Sequence, residues 1–215
     1  MEREIFTKGF IKSVDEYFES LRPFYDHDLR YLPELATLKF EILNCLMLGF
    51  YQASICTTNH FVERMLKLSL MKNHTKGYNY SDMETYTVKL KESKKFDDLT
   101  LNQSLALALE KELISNEQYE YLKKIKNHIR NPYSHAHISK ITQGAPESVK
   151  MFRFSFDDIK SRLGKNENLG KPESIEIPSY SPAIAQFYQE HVSKLLGFQY
   201  FRNVYAIARD IEKKI

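Results

Sequence analysis

Residues 40–66 read FEILNCLMLGFYQASICTTNHFVERML. Apolar side chains recur at three- and four-residue spacing: Phe40, Leu43, Met47 and Phe50, then Ile55, Phe61, Val62, Met65 and Leu66. That spacing puts them on one face of a helix rather than on alternate faces of a strand. With Leu35 in front, the pattern extends from Pro33 to about Met71. It fits one long helix, or two with a break near Thr57-Thr58-Asn59. Gly49, with no side chain, would permit close approach of another helix. The most apolar run, Ile42 to Ile55, is interrupted by Asn44, Gln52 and Ser54, and is too short and too polar for a membrane span.

Working outward, residues 4–21 carry Ile5, Phe6, Phe10, Ile11, Val14, Tyr17, Phe18 and Leu21 at helical spacing, and Arg22-Pro23 is expected to end that helix. Residues 23–33 read as a connector. Lys72 to Ser81 is a polar loop containing Gly77, and Ser81-Asp82-Met83-Glu84 has the character of a capping box. An apolar helix is expected over 99–113, around Leu101, Leu105, Ala108 and Leu109. Ser115 caps the next, which runs through Tyr119, Leu122, Ile125 and Ile129 to Arg130. The segment 147–178 breaks the pattern. Met151 to Phe156 and Ser174 to Pro178 alternate with period two and read as two strands around a short helix near Asp157 to Leu163. A final helix spans Ser181 to Lys214, with Ala185, Tyr188, Val192, Leu195, Leu196, Val204 and Ile207 on or near its apolar stripe and a bend at Gly197.

The expectation is therefore one all-α domain over 1–215: an N-terminal helix and connector (1–32), an irregular or β-containing insertion (147–178) and a C-terminal helix (181–215). Seven Gly and seven Pro, against 14 Phe and 14 Tyr, favour long helices over turn-rich β structure. A net charge of +3 is mildly basic, short of the dense basic stripe of a dedicated duplex binder. The two cysteines, Cys45 and Cys56, fall on one expected helix about 16 Å apart and cannot pair within it. Met1-Glu2-Arg3-Glu4 leads into an amphipathic segment rather than a signal-peptide core, so a cytoplasmic location is expected.

One stretch carries chemistry: Arg130-Asn131-Pro132-Tyr133-Ser134-His135. Asn131 is a favoured N-cap and Pro132 suits the first helical position. Arg130 would then close one helix, and His135 would stand in the first turns of the next. A permanent cation, a titratable imidazole and a helix N-terminus would meet, and all three suit a phosphate. RNA offers such a phosphate with a 2′-hydroxyl beside it. His128, His135 and His137 do not make a metal set, because His135 and His137 point to nearly opposite sides of a helix and no ligand of recognisable spacing completes them.

This Arg-polar-x-x-x-His pattern resembles the motif of the HEPN superfamily (higher eukaryotes and prokaryotes nucleotide-binding domains). These are small all-helical proteins, many of them metal-independent ribonucleases. The resemblance covers roughly residues 35–142, with the C-terminal helix completing the bundle. It implies Arg130 and His135 as the catalytic pair, Asn131 as the polar residue beside them, and Glu63, on the helix carrying Asn59, His60 and Arg64, as the group reaching toward Arg130. It further implies a homodimer in which both motifs line one cleft, no cofactor, and RNA cut to a 2′,3′-cyclic phosphate and a 5′-hydroxyl. Such proteins are often toxins or effectors of antiviral defence, so an antitoxin or sensor protein is a further partner, and 147–178 a candidate docking surface for it. One departure is His137, where family toxins paired with a nucleotidyltransferase antitoxin carry a modifiable tyrosine.

Tyr133 is a candidate to stack on a base, and Lys123, Lys124 and Lys126 to contact RNA phosphates. Each residue also fits a plainer role. Arg130 can satisfy helix C-terminal carbonyls, His135 and Tyr133 can pack in the bundle, and Asn131 can be a cap alone. Glu63 can form a surface ion pair, and the lysines a solvated face.

Overall fold

The computed structural model describes residues 3–77, 83–131, 133, 140, 142, 145–153 and 173–215. It is mostly helical, with one small antiparallel sheet ahead of the last helix. The helices are α1 (Arg3–Asp26), α2 (Ala36–Met47), α3 (Tyr51–Thr75), α4 (Met83–Ser93), α5 (Leu101–Glu110), α6 (Asn116–Ile125) and α7 (Pro182–Glu212). Short 3-10 turns, Pro33–Leu35 and Lys94–Phe96, precede α2 and follow α4. Strands β1 (Ser148–Arg153) and β2 (Glu173–Pro178) pair with Val149 opposite Ile177 and Met151 opposite Ile175. The expected pairing forms, with β1 starting three residues before Met151; Phe154 to Phe156 of the expected strand lie outside the described residues. The expected cap at Ser81-Asp82 and the short helix over 157–163 lie outside the described residues.

The stretch that reads as helix over 33–71 is two helices, but they part at Gly49, not at Thr57-Thr58-Asn59. Gly49 has φ of 74°, a conformation costly for residues bearing a Cβ. Its N–H donates to Leu46 O at 3.2 Å, and Phe50 N–H donates to Cys45 O at 2.7 Å. Together these form a Schellman stop, which satisfies carbonyls that the end of α2 would otherwise leave open. Thr57 and Thr58 do not break α3, because their hydroxyls fold back onto Ala53 O and Ser54 O within the helix. Cys45 and Cys56 thus sit on different helices, both as free thiols.

α3 is the central element. Ile55, Phe61, Met65 and Leu66 are fully buried between α2, α5 and α7. α7 comes close to α2 and α3 at Gly197. A Cβ there would stand 3.1 Å from Ser54 Oγ and 3.4 Å from Leu46 Cδ2. Close approach, anticipated at Gly49, therefore belongs to Gly197. Phe201, fully buried on α7, meets Phe61, Phe24 and Tyr205. Leu195, placed on the α7 stripe by spacing, is 65% exposed.

α1 does not end at Pro23, which lies inside it. An interior proline costs about 3 kcal/mol. Offsetting that, Phe24 packs against Phe198, Phe201 and Tyr205 with ring centroids 5.4–5.9 Å apart, and Tyr25 donates to Asn44 Oδ1 at 2.9 Å. After α1, the buried Lys39 of α2 pins the connector, donating to His27 O and Asp28 Oδ1, both at 2.8 Å. Among the described residues no helix is long and apolar enough to cross a membrane.

Candidate functional site

α6 begins with a complete capping box. Ser115 Oγ accepts from Gln118 N–H at 3.1 Å, and Gln118 Oε1 accepts from Ser115 N–H at 3.0 Å. At its far end the helix widens into a π turn over Lys126–Arg130. Asn131 N–H donates to Lys126 O, five residues back. Asn131 has φ of −65° and ψ of −47°, so it is helical and is not an N-cap. A cap residue needs extended backbone; here the π-type hydrogen bond keeps Asn131 helical. Tyr133 is again helical. Pro132, which has no N–H to donate wherever it sits, lies outside the described residues, as do Ser134, His135 and His137.

The widened turn aims Arg130 at α3. Its Nη2 donates to Glu63 Oε1 at 2.8 Å and its Nε to the same oxygen at 3.2 Å. Nη1 donates to Asn131 Oδ1 at 3.2 Å. Asn131 therefore steadies the guanidinium rather than capping a helix. The two remaining N–H groups, one on each terminal nitrogen, have no acceptor among the described residues. The side chains of Arg130 and Glu63 are 30% and 31% exposed, so the pair reaches water. Water screens such a pair, and its net stabilisation is about 1 kcal/mol.

One turn before Glu63, Asn59 is buried and accepts from Tyr200 Oη of α7 at 2.8 Å. Its Nδ2 has no acceptor among the described residues. Burial drives the Tyr200 phenol far above its ordinary range, with the Glu63 carboxylate raising it further and Arg130 opposing. Tyr200 therefore stays a neutral donor behind the pair. Spacing alone placed Asn59 and Glu63 on one face of α3. Nothing in the sequence linked Tyr200 to them, since 141 residues separate it from Asn59.

On the outer side of Glu63 lies an open groove of about 570 Å³ lined by His60, Arg64, Lys67 and Asp97. That volume is within the range of small-molecule sites. Among the described residues no group of three or more His, Cys, Asp and Glu side chains could hold a metal ion.

Other expected contacts fall elsewhere. Tyr133 is buried, and its hydroxyl is hydrogen-bonded to Ser193 of α7 at 3.1 Å. Its ring packs in the core and offers no face to a base. Lys123 lies 3.6 Å from Glu120 and over the Tyr119 ring. Lys126 donates to Asn102 Oδ1 at 2.6 Å. Lys124 is exposed. Arg64 and Lys67 of α3 are the cations that line the groove beside Glu63, and the α6 lysines are not among its lining. Comparison of the chain with models of known protein families, with curated proteins and with solved structures finds no match.

Proposed function

We propose that this chain is a HEPN-like endoribonuclease that acts without metal as a homodimer. The observation that carries the reading is Arg130, five residues before His135, held by Glu63 and Asn131 with two N–H groups that meet no acceptor among the described residues. A guanidinium so fixed can present parallel donors to two phosphate oxygens and offset the charge of a pentacoordinate phosphorane. Histidine, with an unperturbed pKa of about 6.5, can take the 2′-hydroxyl proton or return one to the departing 5′-oxygen. One chain supplies one such pair, and two motifs facing across a homodimer supply both base and acid. The products are a 2′,3′-cyclic phosphate and a 5′-hydroxyl. The same resemblance makes the biological setting a cytoplasmic toxin or antiviral-defence effector, with an antitoxin or sensor protein as a further partner.

The test is RNA cleavage in excess EDTA by wild type and His135→Ala, with the product ends analysed. Cyclic phosphate ends from wild type alone are expected. Equal cutting by both proteins would remove His135 from the mechanism. A second reading, a non-catalytic dimeric binding or scaffold module, is favoured by the same guanidinium: three of its N–H groups already serve intramolecular acceptors. Inert but folded wild type would favour that reading.

A further inference from the structure

The first three-quarters of α1 run along the margin of the bundle, joined to it at Tyr17, which packs against the core and whose hydroxyl accepts from the Tyr51 hydroxyl of α3 at 3.2 Å. No described side chain before Leu21 is buried, and Arg3 to Ser20 span about 27 Å of helix. Yet this part is strongly amphipathic. Ile11, Val14 and Phe18 recur at the spacing of a helix–helix seam, and Phe10 widens it along the flank on which Tyr17 meets the bundle. Phe10, Ile11 and Phe18 are 45%, 53% and 40% exposed. An apolar stripe of that length on one helix calls for a partner surface.

The charges on α1 say which partner. Residues 3–12 hold three cations (Arg3, Lys8, Lys12) and one anion (Glu4). Residues 13–22 hold three anions (Asp15, Glu16, Glu19) and one cation (Arg22). A parallel pair would set like halves together, whereas an antiparallel pair sets each basic half on an acidic one. The register is consistent with this. On the seam through Ile11, Val14 and Phe18, Lys8 and Asp15 fall on the same flank, one heptad apart, and both are exposed. The two-fold axis relating antiparallel helices places that flank of one against the same flank of the other. Lys8 of each copy then faces Asp15 of its mate, while Phe10 covers the opposite flank. The Lys8–Glu4 pair within the helix, at 2.8 Å, is three-quarters exposed and exchanges readily for a new partner. Equal numbers of cations and anions over residues 3–22 lack the basic face that an anionic membrane selects.

We infer that α1 is a dimerisation arm that docks antiparallel on α1 of a second copy. This goes beyond the nuclease reading, which needs a homodimer but assigns α1 no part in it: a monomeric wild type would overturn both, whereas a dimer unmoved by changes in α1 would overturn the arm alone. The test is sedimentation equilibrium of the full chain over the micromolar range, with circular dichroism to check folding. Wild type should dimerise, and Ile11→Asp/Phe18→Asp should weaken association by about tenfold or more, since it removes the central apolar contacts. Lys8→Glu and Asp15→Lys should each weaken it alone, and an equimolar mixture of the two should recover it as a heterodimer. A wild type that stays monomeric throughout would overturn the inference. So would a dimer unmoved by Ile11→Asp/Phe18→Asp, or a mixture of the charge variants that recovers nothing.

Discussion

Glu63 and Arg130 are 67 residues apart and share one oxygen at 2.8 and 3.2 Å. Glu63→Gln keeps the shape and removes the charge. On the proposed function it should lower RNA cleavage by about 100-fold, because a guanidinium free to drift by an ångström loses the phosphate geometry. The same change should cost about 1 kcal/mol or less of stability, since the pair is partly in water. Comparing cleavage rate with the urea midpoint separates the two effects. Tyr133→Phe should do the opposite. Losing the bond to Ser193 should destabilise by about 1 kcal/mol while cleavage stays within a few-fold, because the buried ring offers nothing to a base. A large loss of cleavage with unchanged stability would contradict the packing role. The resemblance pointed to Glu63 by its place on a helix. It could not show that Asn131 serves Arg130, because the sequence there reads equally as a cap.

Helix starts were legible where the signal is local, and helix ends where it is not were misplaced. The Ser115–Gln118 box needs only four consecutive residues and forms as the sequence indicates. Ser115→Ala should cost about 1 kcal/mol by denaturant unfolding. Pro23 and Gly49 show the limit. Pro23 reads as a stop, but aromatic packing of Phe24 against α7 carries the helix through it. Gly49 reads as a contact point, but its left-handed φ makes it a stop. The true contact point is Gly197. Gly197→Ala should destabilise by about 1–3 kcal/mol, because Ser54 and Leu46 must give way. A urea midpoint equal to that of wild type would show that α3 and α7 can separate at no cost.

At the scale of the whole molecule, three paired carboxylates, Asp28, Glu34 and Glu92, join one element to another and tie stability to pH. Hydrogen bonding to Lys39 holds the Asp28 carboxyl below its ordinary value. Lys89 and His74 do the same for Glu92. For Glu34, burial pushes upward, but Lys72 together with the other favourable interactions lowers the net value. A carboxyl whose value is lower in the folded state stabilises fully above its unfolded value, about 4, and loses that contribution as pH falls through the folded one. The urea midpoint should therefore hold steady from neutral pH down to the ordinary carboxylate range and fall below it. Lys39→Met should flatten the fall by removing the Asp28 share. An acid limb of identical slope in that variant would show that the Asp28–Lys39 pair contributes nothing to the pH dependence.

The sequence by itself determined the helical class, the strand pair before α7, the Ser115 cap of α6 and the amphipathic face of α1. Each follows from side-chain periodicity or from hydrogen bonds among neighbours, which need no distant partner. Tertiary structure decided where α2 ends and α3 begins, that α1 runs through its proline, and that Tyr133 is core. It also set Tyr200 behind Asn59, one turn from Glu63. Those outcomes depend on which surfaces bury each other across tens or hundreds of residues. Burial of an aromatic ring outweighs a local preference of a few kcal/mol at most, and no short window of sequence contains both partners.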